Sequence, residues 1–461
     1  MIGLVAFLVF VCWLLWLYYR DEKGRSSVSK AVWICVLWGV MYGSRSVTEW
    51  LSGPGGNLDA SGSPDEGNIV DALISFGLIF AGLVLLARRG VRWSAVLSSN
   101  TILFLFYLFW LLSIFWSDYP LITGKRLFKD LGNVVMALVV LTETDPVEAI
   151  KTVGVRIAYL CIPLSVLLIR YYPDWGRVYV GYDRSEVMWV GVATHKNTLG
   201  VLAMISAMFL LWDLLDRWGK SREPTNKALT ASRIFVLLLS WHLLVIANSV
   251  TSLICAVLGS LLLVTFTFSF AKGRPGRVEL FGLASATVLL MLDWTLDINL
   301  KRTFLDNVGR DESLTTRTDV WPLLTSLQDN PLLGAGFNSF WAGERLKMSQ
   351  EKFGGIIQAH NGYLETYLNG GIIGVGLLVV LLLWGYWRIR QLMIQGASEG
   401  SIRFVLLLIA LIHNYSEASF NKVGLLWLVT VFSLMQYAAR SPVRNSMPFA
   451  GASGPVLGAT R

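Results

Sequence analysis

The chain has 461 residues, of which 54% are hydrophobic and 15% charged, and its net charge is +8. Soluble domains carry about 25% charged residues, and many apolar runs here approach the roughly 20 residues that span a bilayer. A water-soluble protein is therefore excluded, and the reading is an all-α, polytopic transmembrane bundle. The positive charge is no nucleic-acid signal, because the basic residues are sorted into alternate loops, as the positive-inside rule requires.

In chain order, candidate spans fall at 2–19, 30–43, 68–87, 99–116, 130–142, 152–170, 197–213, 233–247, 251–270, 279–296, 362–386, 403–415 and 421–437, about 12 to 13 in all. The first is read as a retained span. It lacks a basic leader and an A-x-A cleavage pattern, and Arg20-Asp-Glu-Lys-Gly-Arg25 follows it. Taken together, the loops at 20–30, 88–98, 143–151, 214–233, 271–278 and 388–403 carry an excess of basic residues and are assigned to the cytoplasm, which places the loop at 297–361 outside it. Residues 51–67 are rich in Gly, Ser, Pro and Asp and read as a flexible outer loop; residues 438–461 read as a disordered cytoplasmic tail. The division is 1–116 and 117–296 as N-terminal and central helices, 297–361 as a large outer loop, and 362–437 as C-terminal helices. The cysteines Cys12, Cys35, Cys161 and Cys255 all lie in apolar runs and read as small core residues.

The polar groups that remain cluster at the outer side. Arg126 and Lys129 follow Ser117-Asp-Tyr-Pro120, and His195, Lys196 and Asn197 open the seventh span. Ser249, Thr251 and Ser252 form a short turn, and His413-Asn-Tyr-Ser-Glu417 ends the twelfth span. In the outer loop a helix is expected over 313–328, capped by Asp311 or Ser313 and interrupted near Pro322, with Arg317 and Trp321 on one face. Gly334-Ala-Gly336 makes a tight turn next to Asn338, and His360, Asn361 and Glu365 stand at the mouth of the next helix. Gly370, Gly371, Gly374 and Gly376 are expected to line a face that another helix approaches closely.

Each group has a plain structural reading. Terminal Lys and Arg snorkel, Ser and Thr cap turns, and His413 and the mid-span His242 make polar packing contacts. Their convergence at one depth favours a site. Arginine grips phosphate oxygens bidentately, and histidine is the base suited to neutral pH. The chain has no G-x-S-x-G, HExxH or CxxC motif and no tight acidic cluster. The set suggests transfer from a phosphorylated, lipid-borne donor without metal or other cofactor.

Three strings resemble the O-antigen ligase and exopolysaccharide polymerase family. They are Arg317-x-x-x-Trp321, then Asn330-Pro-Leu-Leu-Gly-x-Gly336, then His360-Asn-x-Tyr-Leu-Glu365 with Gly374 beyond. His195-Lys-Asn-x-x-Gly200 is similar to a motif of the polymerase branch. The resemblance implies a glycosyltransferase of the bacterial inner membrane that takes glycan from undecaprenyl diphosphate at the periplasmic face, working beside polysaccharide assembly and export proteins. It implies His360 as base and Arg317 as diphosphate-binding cation. Many relatives carry a cation in the short outer turn where Val250 stands, so Arg126 or Lys196 is expected to supply the second phosphate contact. Polymerisation of exopolysaccharide units is the first reading, and ligation of glycan to lipid A-core the second. A transporter or flippase of lipid-linked glycan and a non-catalytic membrane protein are the alternatives of other classes.

Overall fold

The computed structural model describes residues 1–54, 68–180, 186–219, 226–296, 317–352 and 357–437. Residues 55–67 of the expected flexible loop, the C-terminal tail, the candidate caps Asp311 and Ser313, and the Arg317 side chain lie outside the described parts; Leu51 and Ser52, expected in that loop, belong to a short helix. The first half comprises α1 (Ile2–Gly24), α2 (Val32–Gly43), α3 (Val47–Ser52), α4 (Ile69–Arg88), α5 (Trp93–Ser99), α6 (Thr101–Leu112), α7 (Pro120–Leu141), α8 (Pro146–Tyr171) and α9 (Pro173–Gly176). A hairpin of β1 (Arg177–Val180) and β2 (Glu186–Trp189) follows, with Arg177 opposite Trp189. Then come α10 (Lys196–Gly219), α11 (Lys227–Ile246), α12 (Val250–Thr265), α13 (Pro275–Leu296), α14 (Arg317–Ser326), α15 (Gly343–Lys352), α16 (Gly362–Ile394), α17 (Gly400–Ser416) and α18 (Leu425–Leu434).

The ends of these helices are written locally. Pro120 and Pro146 open α7 and α8 at the position where a missing N–H is harmless. Asp145, Asn226 and Asn361 accept first-turn N–H groups of α8, α11 and α16. Each of the thirteen expected spans falls on a helix. Among the described residues six are long and apolar enough to cross a membrane, seven if the bent α5–α6 pair is one span, and four more are shorter apolar helices. The α5–α6 bend is 94°. It sits at buried Asn100, whose amide donates to the carbonyls of Val96 and Gln436.

Burial orders the bundle. The apolar windows of α8 and α10 are 83% and 72% buried, those of α1 and α4 only 17% and 28%, so α8 and α10 form the core and α1 and α4 face lipid. The core pair approaches closely because Gly154 faces Phe209; a Cβ there would stand 2.2 Å from the ring. Cys35, Cys161 and Cys255 are buried as expected, whereas Cys12 is exposed on α1.

The 331–336 turn is docked into a break in α16. Gly371 leaves helical geometry at φ 60° and ψ −163°. The amides of Ile372 and Ile373 donate to the carbonyls of Pro331 and Leu332 at 2.9 and 3.2 Å, and those of Ala335 and Gly336 to Leu368 and Asn369 at 3.1 and 2.8 Å. A break in a membrane helix frees backbone groups that must find partners, and the 331–336 turn supplies them. Cβ atoms at Gly334 or Gly371 would stand 2.3 Å from the facing backbone. Gly370 and Gly374 do face a neighbouring helix, against Trp110 and Phe109 of α6, but Gly371 is the break itself and nothing approaches Gly376. Pro322 lies within α14. The loop is fastened further by Trp116 Nε1 on the Leu333 carbonyl at 3.2 Å. Arg345 also binds Asp118 at 2.8 Å and Asp329 at 3.0 Å. Burial would lower the Arg345 pKa; its hydrogen bonds to the Asp118 and Asp329 carboxylates outweigh that and raise it.

At the other end of the bundle, α1, α8, α10 and α11 meet in an ion-pair network. Buried Arg25 reaches Asp21 at 2.8 Å, Asp213 at 3.2 Å and also Glu148. Arg156 binds Asp21 at 3.0 Å, and Arg233 Nε stands 2.7 Å from Asp213. Burial alone would lower the Arg25 pKa; Asp21, Asp213 and Glu148 outweigh it and hold it above its ordinary range. Removing one member of a buried ion set costs about 3–5 kcal/mol, because its partners stay charged and unpaired. Arg25→Ala should therefore lower the melting temperature of the detergent-purified protein markedly, whereas Arg20→Gln, at an exposed neighbour, should leave it unchanged.

Candidate functional site

His360 sits in a turn whose geometry is fixed from several sides. Its φ is +50°, a region a β-carbon disfavours. The turn holds because Ala359 on one side is anchored twice: its N–H donates to Glu365 Oε2 at 2.9 Å, and its carbonyl accepts from Trp321 Nε1 at 3.0 Å. On the other side Asn361 caps α16 by accepting from the amides of Tyr363 and Leu364 at 3.0 and 3.1 Å. Gly362 then passes against Asn414, where a Cβ would stand 2.1 Å from the amide oxygen. That oxygen accepts from the Ser419 and Phe420 amides at 2.8 and 2.9 Å and so draws the turn after α17 against His360.

The result is a histidine–carboxylate–amide chain. His360 Nδ1 lies 3.2 Å from Glu417 Oε2, and Glu417 Oε1 accepts from Asn197 Nδ2 at 2.7 Å. A carboxylate at Nδ1 selects the tautomer with its proton there and leaves Nε2 as the basic nitrogen. The His360 ring is partly exposed, and the Gln358 amide stands 3.5 Å from Nε2.

Other expected site residues fall into adjoining groups. Arg126 donates to the Asn338 carbonyl, and the Asn338 amide donates to the Asn421 carbonyl. Both asparagines hold positive φ, at 51° and 59°. The Asn421 amide reaches Thr366 at 3.4 Å on α16. Ser249 donates to Ser252 at 3.1 Å; Ser252 lies 3.4 Å from His413 Nε2, and Thr251 lies 2.6 Å from Ser416, next to Glu417. His195 is exposed, and its Nδ1 accepts the Asn197 N–H at 3.2 Å at the start of α10. Thus Asn197 and His360 share Glu417, while Ser249 and Thr251 reach the same end of α17 through Ser252 and Ser416.

Lys129 and Lys196 are half-buried, and among the described residues no hydrogen bond or ion pair joins either to His360. Trp321 supports the turn directly, and the first residue of its helix is Arg317. His242 is exposed on α11 rather than packed in a polar contact. The 450 Å³ cavity opens at the opposite end of the bundle and includes none of these residues. Among the described residues no group of three His, Cys, Asp or Glu side chains gathers as a metal site would require.

Glu365 serves the turn itself. It is buried, and its carboxylate takes Trp341 Nε1 at 2.7 Å, the Ala359 amide, and Lys422 at 3.7 Å. Glu417, Lys422, Asn421 and Trp341 were outside the expected site. Glu417 carried a signal, a carboxylate closing a polar run at a span end; the other three carried none that spacing could reveal. Glu365→Leu strands two buried donors at about 1–3 kcal/mol each. It should lower the melting temperature and speed proteolysis within 343–352, with Glu365→Gln showing a smaller effect.

With this geometry in view, the O-antigen ligase family model matches residues 234–379, which include Arg317, the 331–336 turn, the Gly371 break and His360. The chain is 25% identical over 317 residues to the exopolysaccharide production protein ExoQ of Rhizobium meliloti (strain 1021), covering 65% of this chain and 68% of that protein.

Proposed function

Starting from a chain that belongs to the O-antigen ligase and ExoQ-like family of membrane glycan ligases and polymerases, we propose that it joins lipid-linked glycan units by glycosyl transfer at the end of the bundle that carries His360. The donor in this reading is a glycan on undecaprenyl diphosphate, and the acceptor is a sugar hydroxyl of a second lipid-linked unit. The observation that carries it is the pairing of His360 Nδ1 with Glu417 at 3.2 Å, which leaves Nε2 as the base.

The chemistry is a single displacement. The acceptor oxygen forms a bond to the anomeric carbon, and its proton passes to His360 Nε2. The bond from the anomeric carbon to the diphosphate oxygen breaks, and the leaving lipid diphosphate takes the electron pair. Glu417 stabilises the imidazolium that forms, and Asn197 holds Glu417 in register. Arg317 is assigned to the leaving diphosphate, where a cation offsets developing charge. Arg126 is less suited to that task than expected, because it already binds the Asn338 carbonyl. The membrane is a bacterial inner membrane in this reading, with the 297–361 loop on the periplasmic side, on the sorting of basic loops.

The family model's description favours a second reading, ligation of a finished glycan to lipid A-core. The two separate in a deletion strain: loss of long polymer with intact capped lipid A-core marks a polymerase, and the reverse marks a ligase.

A positioned general base contributes about 10²–10⁴ in rate. In a deletion strain complemented with His360→Ala, transfer should fall by about that factor and undecaprenyl-linked units should accumulate, read as the lipid-linked and polymeric glycan profile. Normal polymer from this variant, with the protein present at wild-type level, would remove His360 from the mechanism. Glu417→Gln keeps the size of the side chain but withdraws the charge. It should retain the folded protein and lose activity in the same direction as His360→Ala, and the double variant should be little worse than either alone.

A further inference from the structure

The end of the bundle opposite His360 holds a cavity of about 450 Å³, within the roughly 300–1,000 Å³ of small-ligand sites. It lies between the ends of α1, α8, α10 and α11 and is lined almost wholly by charge. The walls present Arg20, Lys23, Arg25, Lys151, Arg217 and Arg233 against four carboxylates. Those carboxylates are already used. Asp213 is held by Arg25, Arg217 and Arg233; Glu148 by Arg25, Lys151 and Arg217; and Asp216 by Lys151. Asp145 accepts the Glu148 amide as the cap of α8. Asp21, behind the wall, is balanced by Arg156 as well as Arg25.

Two lining cations are left over. Arg20 and Lys23 stand exposed on the last turns of α1 at the cavity rim, and neither makes an ion pair among the described residues. Arg20 lies over the Trp16 ring at 6.0 Å. Buried Arg25, Lys151 and Arg233 line the depth of the same cavity, and the Ser26, Ser27 and Thr230 hydroxyls add neutral donors. The surplus of two positive charges matches one phosphate. Because α1 is the least buried of the spans, the rim is reached sideways from lipid at headgroup depth. Basic pockets between helices at such a surface take anionic headgroups.

We propose that this cavity binds the phosphate of an anionic ligand, with Arg20 and Lys23 as the groups that attract it and Arg25, Lys151 and Arg233 as the preorganised floor. Either a lipid headgroup or a soluble phosphate monoester carries that chemistry. The site is separate from the one assigned to glycan transfer and stands whether or not that assignment does.

The test is native mass spectrometry of the full-length protein in detergent, titrated with phosphatidylglycerol, phosphatidylcholine or glycerol 3-phosphate. The wild type should retain one phosphatidylglycerol per chain in preference to phosphatidylcholine. Arg20→Gln/Lys23→Gln should weaken this by about 10- to 30-fold. Thr230→Trp, which fills the cavity without removing charge, should abolish it. The pair Arg274→Gln/Arg277→Gln, basic residues of the same side that do not line the cavity, should leave it intact. Glycerol 3-phosphate binding with the same variant pattern, without lipid preference, supports the site with a soluble ligand as its source. Equal losses in both charge pairs, wild-type retention by Thr230→Trp, or no phosphate-bearing adduct at all would overturn the proposal.

Discussion

Backbone polar groups at membrane depth have no water to satisfy them, and one solution to that constraint organises this protein. The α16 helix breaks at Gly371, and the groups it frees are paired with the 331–336 turn of the preceding loop through four main-chain hydrogen bonds. The loop is thereby part of the bundle rather than a cover laid over it. Neither partner is stable in this form alone: the helix would carry unpaired amides, and the turn would be free chain. Gly334, against the Asn369–Gly370 backbone, and Gly371, against the Leu332–Leu333 backbone, let the two approach to hydrogen-bond distance, and a β-carbon on either would push them apart. Everything placed by α16 or by the loop, including the His360 turn, takes its position from this junction.

A second layer of restraint acts on the His360 turn. The positive φ of His360 costs energy, and the surrounding structure over-determines it. Glu365, Trp321, Asn361 and Asn414 each hold a main-chain group within four residues of it or in the turn packed against it. Asn338 and Asn421, also at positive φ, repeat the device next door. Three non-glycine residues in that conformation within one polar region mark a site held in a particular shape. The ionic end of the bundle works differently. There the restraint is electrostatic, with Arg25 bridging carboxylates from α1, α8 and α10, and α10 runs from Asn197 in one region to Asp213 and Arg217 in the other.

Much of the fold was legible because hydrocarbon imposes a simple rule on sequence, an apolar run of fixed length. The thirteen expected spans coincide with helices for that reason, and Asn330 to Gly336 and His360 to Glu365 stood out as polar islands between them. What the rule cannot express is which polar residue meets which. Glu417 is 57 positions from His360 and 220 from Asn197, so no local spacing joins them. The glycines of α16 read as one small-residue face, but they divide into a helix contact and a break, because the second depends on a turn nearly forty residues earlier. The basic loops were read as a topology signal. The acidic residues buried among them, Asp21 and Asp213, were invisible to that reading, since a count of loop charge does not distinguish a solvated side chain from one inside an ion-pair network. The β1–β2 hairpin was missed because each strand has only four residues, too few for alternation to register.

The pairing of His360 with Glu417 also constrains how the region must work. A carboxylate at Nδ1 leaves Nε2 as the acceptor nitrogen, with the Gln358 amide 3.5 Å away from it. His413 offers the comparison within the same molecule: fully buried, its Nε2 is near Ser252 and its Nδ1 has no hydrogen bond among the described residues. His360 differs in every respect that matters for proton transfer. It is partly exposed, its Nδ1 is assigned to an anion, and its backbone is locked in a costly conformation. Glu417 is in turn held by an amide from α10, so the pair is set by the loop turn, α10 and the end of α17 together. A displacement of any one by a fraction of an ångström lengthens the same hydrogen bond. The contact between His360 Nδ1 and Glu417 is therefore a property of the three-way junction and depends on the loop turn, α10 and the end of α17 being in place together.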